Sequence, residues 1–75
     1  MKYDPIATGR RVAERRHAAG LTQHALADGA NVSQPWLARL EKGRAPSPSV
    51  FALMRLAEAL DCAVDDLVGH GVEPH

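Results

Sequence analysis

The chain has 75 residues with nine basic and nine acidic side chains, so its formal net charge at pH 7 is zero. This length fits one small domain, near the lower limit for a self-sufficient hydrophobic core. The single cysteine, Cys62, excludes an internal disulfide, and no cysteine pair suggests a metal site. No apolar run approaches the roughly 20 residues of a membrane span, so we expect a cytoplasmic protein without a membrane segment, metal or cofactor.

The charges divide unevenly along the sequence. Residues 1–44 carry eight basic and four acidic side chains, whereas residues 45–75 carry one basic and five acidic side chains. Ordinary solvated surface accounts for such a pattern, because polarity along a sequence need not survive folding. The alternative is a basic half that faces phosphate and an acidic half that faces away from it.

Helix-forming residues dominate the sequence, and no stretch alternates polar and apolar residues as a half-buried strand does. We therefore expect an all-α fold. The first helix is predicted from about Pro5 to Ala19, with Asp4 as its N-cap and Gly20 as the left-handed residue that ends it. Its inward side is thin and consists of Ile6, Val12, Ala13 and the stem of Arg16.

Two short helices with a tight turn between them come next. The second helix is predicted from its cap, Thr22, to about Gly29, and the third from its cap, Ser33, to Gly43. Asn31 lies in the turn, where a positive φ is expected and asparagine tolerates one. At 100° per residue, the third helix has an inner face of Leu37, Leu40 and Glu41 and an outer face of Pro35, Ala38, Arg39 and Lys42. Such a pair with a polar, basic outer face is typical of a helix-turn-helix.

Two further helices are predicted in the C-terminal part. Ser47 is expected to cap the fourth helix, with Pro48 at its first position. The apolar side of that helix consists of Val50, Leu53, Leu56, Ala57 and Leu60. Asp61 is expected to end it, and a short fifth helix runs from Val64 to Val68. Residues 69–75 are expected to fray, so 1–75 is one domain with an ordered core of about residues 4–68.

Taken in order, the residues of the five predicted helices and their turns resemble the Cro/CI-type helix-turn-helix domain, also called the xenobiotic-response-element (XRE) family. The resemblance extends over about residues 8–68 and is carried by Arg16, Gly20-Leu21-Thr22-Gln23, Leu26-Ala27, Val32-Ser33-Gln34, Leu37, Arg39-Leu40-Glu41-Lys42-Gly43, Pro48-Ser49, Leu53, Leu56-Ala57, Ala59-Leu60 and Asp65-Asp66-Leu67. It implies a compact five-helix bundle of the lambda-repressor-like type, with the helix-turn-helix at helices 2 and 3. It also implies a sequence-specific transcriptional regulator, a repressor or an activator, that binds a palindromic operator as a dimer through residues 33–42.

The resemblance also assigns roles to residues of the helix-turn-helix. The positions that face base edges are Ser33, Gln34, Pro35, Ala38 and Arg39, and those near phosphates are Thr22, Gln23, Trp36, Lys42 and Arg44. Arg39 is the best candidate base reader, because its planar fork can donate two hydrogen bonds to guanine. Pro35 and Ala38 can only touch a thymine methyl, since their side chains have no donor or acceptor. Trp36 has a second interpretation, which is packing between helices 2 and 3.

Two further sets of residues have roles away from the bases. Arg16 and Glu41 occupy positions that in relatives form an ion pair between helices 1 and 3, and a carboxylate among leucines needs such a partner. Phe51 departs from the apolar side of helix 4, so it either folds onto the edge of the core or joins a subunit interface. The residues of that interface would be Phe51, Met54, Val64, Leu67 and Val68.

The sequence leaves several functions open. An antitoxin or a restriction-modification controller would have the same fold, with a protein partner such as a toxin in the first case. A protein-interaction module that has lost DNA binding is a third alternative, favoured by the neutral net charge, Pro35 and Ala38. An enzyme is not expected, because no nucleophile–base set, paired carboxylates or glycine-rich phosphate loop is recognisable. The predicted partners are therefore double-stranded DNA and a second copy of the chain.

Overall fold

Five helices form the part of the chain that the structure describes, residues 3–68 of this computed structural model. They are α1 Pro5–Ala18, α2 Gln23–Ala30, α3 Gln34–Glu41, α4 Val50–Ala59 and α5 Val64–Leu67. The predicted all-α, five-helix class is confirmed. No helix in this part is long and apolar enough to cross a membrane. The predicted fraying of residues 69–75 falls outside the described residues.

The first three helices begin at the predicted caps. Asp4, Thr22 and Ser33 each accept a hydrogen bond from the backbone N–H three residues further on, at 3.0, 3.0 and 3.1 Å. Each cap satisfies one of the N–H groups that the first turn of a helix leaves unpaired. Gly20 and Asn31 have φ angles of +72° and +56°, so both end a helix in the left-handed conformation, as predicted.

Helix α4 begins two residues later than predicted. Its cap is Ser49, whose hydroxyl accepts from the Ala52 N–H at 3.4 Å, and Ser47 lies in the preceding loop. Both serines carry the same capping group, so the local sequence does not choose between them. Val50, which was predicted to face inward, is the first residue of the helix and is 65% exposed.

The core receives apolar side chains from all five helices. The completely buried ones are Val12, Leu26, Leu37, Leu40, Leu56 and Leu67. Each is worth roughly 1.5–3 kcal/mol relative to full exposure. The predicted subunit interface is wrong at Leu67: its side chain is completely buried in the core and offers no surface to a second molecule. Val64 and Val68 are half-buried against the same core.

Helix α1 packs through Val12 and Arg16, as predicted, and through two residues that its apolar pattern did not indicate, Thr8 and Gly9. Ile6, predicted to face inward, is 64% exposed, and the buried residues of α1 are Thr8, Gly9, Val12 and Arg16. A Cβ at Gly9 would collide with the Leu40 carbonyl oxygen and lie 2.8 Å from that of Glu41. Helix α1 therefore touches the last turn of α3 backbone to backbone, and only glycine permits so close an approach.

Candidate nucleic-acid interface

Helix α3 has one buried side and one open side. Leu37 and Leu40 are completely buried and attach the helix to the core. On the opposite side, Ser33, Gln34, Pro35 and Arg39 are exposed and Ala38 is half-buried. The division follows from the 100° spacing of residues, as predicted. The contact of these five residues with base edges stays a prediction.

The C-terminal end of α3 carries a cluster of exposed cations. Arg39 lies in the last turn, Lys42 is the C-cap residue, and Arg44 follows the turn at Gly43. Within residues 3–68, none of these three side chains makes an ion pair or a hydrogen bond, so all three remain available to an anion. Gly43 has a φ of +75°, and a Cβ there would lie 2.9 Å from Ile6 Cγ1. The turn that directs Arg44 along the surface thus requires glycine.

An open cleft of about 170 Å³ lies beside this cationic end. It is lined by Trp36, Arg39, Arg44, Ala45, Pro46 and Ser47. The half-buried Trp36 packs against the core and also lines the cleft. The packing interpretation of Trp36 is therefore supported, while its contact with a phosphate stays a prediction. The far wall is held in place by Tyr3, whose hydroxyl donates to the Ala45 carbonyl oxygen at 2.9 Å.

A buried ion pair joins α1 to α3. Arg16 Nε donates to Glu41 Oε2 at 2.7 Å and Nη2 donates to Oε1 at 2.9 Å, and the two side chains are 10% and 6% exposed. Arg16 Nη1 also donates to the Leu21 carbonyl oxygen at 2.9 Å. The hydrogen bonds to Glu41 raise the pKa of Arg16 above its ordinary value, against the opposing effect of burial. The predicted pairing of these positions matches the geometry and fixes the crossing of the two helices.

Gln23 has partners that the sequence did not indicate. This half-buried residue opens α2, where the phosphate role was predicted. Its amide Nε2 donates to Glu41 Oε1 at 3.1 Å, and its Oε1 accepts from Gln34 Nε2 at 3.2 Å. Gln23 therefore connects the buried ion pair to the open side of α3. Gln23 is 11 positions from Gln34 and 18 from Glu41, so only the packing of α2 on α3 brings it to both.

A second exposed surface lies on α4. Phe51 is 70% exposed and Met54 is 50% exposed, one turn apart, and the exposed Val50 adjoins them. Of the two alternatives for Phe51, folding onto the edge of the core is wrong. Clusters of exposed apolar side chains usually mark surfaces that contact another molecule. Its use between subunits stays a prediction.

The elements described above define a class of protein. A short capped helix, a turn with a left-handed asparagine and a second helix with a buried and an open side make up a helix-turn-helix. The family model described as a helix-turn-helix domain matches residues 7–70. The chain therefore belongs to the helix-turn-helix family, in its Cro/CI-type (XRE) branch. No curated protein sequence gives a significant match.

Solved structures of regulators are similar to this chain. The restriction-modification controller protein C.AhdI from Aeromonas hydrophila is 31% identical, with a TM-score of 0.81 over 85% of this chain and 96% of that one. The clp gene regulator ClgR from Corynebacterium glutamicum is 32% identical, with a TM-score of 0.78 over 84% of this chain and 66% of that one. SinR from Bacillus subtilis, a master regulator for biofilm formation solved in complex with DNA, is 28% identical, with a TM-score of 0.77 over 80% of this chain and 95% of that one.

Proposed function

We propose that this protein is a sequence-specific transcriptional regulator that inserts α3 into the major groove of a palindromic operator as a homodimer. The observation that carries the proposal is the open side of α3. Three exposed cations at its end have no ion-pair partner among residues 3–68, while the other side of the helix is fixed in the core. A helix of this kind fits the major groove, and cations at its end match the phosphates that border it. A protein that acts on the chromosome works where the DNA is, so the proposal includes a cytoplasmic location.

The exposed side chains divide into two groups of contacts. Arg39 reads guanine through a two-pronged hydrogen bond, and Ser33, Gln34, Pro35 and Ala38 face the neighbouring base edges. Lys42 and Arg44 follow the phosphate backbone, where they fix the register without reading sequence. Phosphates are also the proposed partners of Thr22, Gln23 and Trp36. The N-terminus of α2 favours an anion, since unpaired N–H groups and the helix dipole point toward it.

The proposed homodimer uses the exposed surface of α4. Phe51 and Met54 form its centre, with the half-buried Val64 and Val68 as further candidates. A two-fold axis places the same patch of both subunits face to face, so apolar side chains meet apolar side chains. The two α3 helices would then enter major grooves about one helical turn, roughly 34 Å, apart.

Selection of bound sites from random double-stranded DNA tests the proposal. A palindrome with half-sites about one helical turn apart is expected. Arg39→Ala should weaken binding to the selected site by about 1–3 kcal/mol and relax one position of it. The matched control, Lys42→Ala, should weaken selected and random DNA about equally and lower the salt dependence of binding. Failure to enrich any sequence at low salt would overturn the proposal in favour of a protein-interaction module.

Sedimentation analysis tests the dimer separately. Phe51→Ser removes the largest exposed apolar side chain of α4, and it should move the monomer–dimer transition to higher protein concentration. Ile6→Ser is the control, because Ile6 is similarly exposed on α1, outside the proposed surface. An unchanged transition for Phe51→Ser would place the subunit contact elsewhere.

A second candidate function is a restriction-modification controller. The observation that favours it is the similarity to C.AhdI, which this chain covers over 96% of its length at 31% identity. A controller would bind DNA next to the genes of its own nuclease and methyltransferase. Mapping the bound sites in the genome tests this: sites beside a nuclease gene support the controller, and sites elsewhere support a general regulator.

A further inference from the structure

A continuous chain of hydrogen bonds runs from the buried ion pair to the open side of α3. Arg16 donates to both oxygens of Glu41, Gln23 Nε2 donates to Glu41 Oε1 at 3.1 Å, and Gln34 Nε2 donates to Gln23 Oε1 at 3.2 Å. The first two members are buried and the last is exposed. These hydrogen bonds thus link a fixed charge in the interior to a side chain on the proposed DNA-reading surface.

The direction of these bonds is set by chemistry. A carboxylate that accepts from a guanidinium can only accept, so the side chain that also bonds to it must present a donor. Gln23 therefore turns its NH₂ group toward Glu41 and its carbonyl oxygen toward Gln34. Gln34 must in turn present an N–H to that oxygen. Each amide has two orientations of nearly equal shape, and the charge of Glu41 selects one orientation for both.

The selected orientation determines what Gln34 offers to DNA. One of its N–H groups is occupied by Gln23, while its carbonyl oxygen and second N–H bond to no other described residue. An acceptor and a donor held side by side match N6–H and N7 of adenine in the major groove. A freely rotating amide would lose this match in part of its population.

We propose that the buried carboxylate of Glu41 is a specificity-positioning residue: acting through Gln23, it fixes the amide of Gln34 in the orientation that reads one base of the operator. Arg16 and Glu41 then have two roles, one in holding α1 against α3 and one in DNA sequence preference. The inference rests on the proposed DNA-binding function, because the amide of Gln34 has nothing to read without a major groove.

The experiment compares base preference, position by position, in sites selected from random DNA by the full chain. Gln34→Ala first identifies the position that Gln34 reads. Gln23→Met interrupts the hydrogen-bond chain and leaves the ion pair intact. Arg16→Met with Glu41→Leu replaces the ion pair by apolar side chains, so the fold is kept and the charge that orients the amides is removed.

Gln34→Ala should lose preference at its own position by roughly 5- to 150-fold, the discrimination that one two-pronged contact supplies. Gln23→Met and the Arg16→Met/Glu41→Leu double variant should lose about twofold at the same position, because the released amide spends about half of its time in the wrong orientation. All three variants should keep the preference at the position read by Arg39. A purely structural ion pair, or a Gln23 that only binds phosphate, would lower affinity for all sequences and leave every preference unchanged. That result overturns the inference, as does a Gln34→Ala protein that retains all preferences. A parent chain that selects no site overturns the proposed function instead.

Discussion

Two helix contacts hold the helix-turn-helix in place, and they use different chemistry. Helix α1 packs on α3 through the backbone approach at Gly9 and the buried Arg16–Glu41 ion pair. Helix α4 packs on α2, where its buried residues are Ala52, Leu53, Leu56 and Ala57. The polar contact allows one geometry, because hydrogen bonds and touching backbones are directional. The apolar contact between α4 and α2 tolerates repacking, since dispersion and the hydrophobic effect are not directional.

The comparison indicates why the proposed reading helix is held by the less tolerant contact. Base readout depends on a few donors and acceptors whose positions must match the groove closely. An ion pair and a glycine contact at the last turn of α3 fix both its rotation and its distance from α1. Helix α4 has no such requirement, and its outward surface is apolar at Phe51 and Met54.

The largest expected effect is that of Arg16→Met. It should lower the free energy of unfolding by about 3–5 kcal/mol, because the Glu41 carboxylate stays buried without its partner. Urea denaturation measures the change. Adding Glu41→Leu should recover most of the loss, since two apolar side chains then fill the same space. If Arg16→Met alone is as stable as the parent protein, the ion pair does not hold α1 against α3.

Gly9→Ala is expected to rank second. The added methyl collides with the carbonyl oxygens of Leu40 and Glu41, so α1 must move away from α3 at a loss of about 1–3 kcal/mol. Gly29→Ala is the control in α2, where a Cβ has no heavy atom within 4 Å. It should raise stability by about 0.5–1 kcal/mol. Thermal unfolding compares the two variants. A loss of stability in both of them would contradict the close contact at Gly9.

Leu56→Met examines the tolerant side of the comparison. Leu56 is completely buried in α4, and methionine keeps a similar volume while it can adjust its shape. The expected loss in the free energy of unfolding is about 1.5 kcal/mol at most. A loss as large as that of Arg16→Met would remove the distinction between the two contacts.

Tyr3→Phe should have the smallest effect, roughly 1 kcal/mol, through loss of the hydrogen bond to Ala45. Burial raises the pKa of the Tyr3 phenol above 10.0, so the neutral form is favoured in the folded chain. This contribution is complete below about pH 10, the pKa in the unfolded chain, and is lost as the pH rises through the higher folded value. Unfolding measured from pH 8 to 11 should show a smaller decline for the variant.

Local signals predicted the helices better than their packing. The capping residues Asp4, Thr22 and Ser33 located three helix starts, because a cap acts on the backbone within three residues of itself. The predicted start of the fourth helix was wrong by two residues, since Ser47 and Ser49 are equivalent as capping residues. Ile6 and Leu67 were misplaced for a related reason: an apolar residue marks a side that prefers burial, and the neighbouring helices decide whether burial is available.

The sequence by itself determined the helix count, the helix-turn-helix and the polar outer side of α3, because periodicity, caps and turn residues act over a few positions. Only the tertiary structure decided which glycine lets α1 touch α3, that Leu67 belongs to the core, and that Gln23 joins Glu41 to Gln34. Gly9 meets the carbonyl oxygens of residues 31 and 32 positions away, and Gln23 bonds to residues 11 and 18 positions away. Their geometry depends on how helices cross, which the sum of local preferences does not contain.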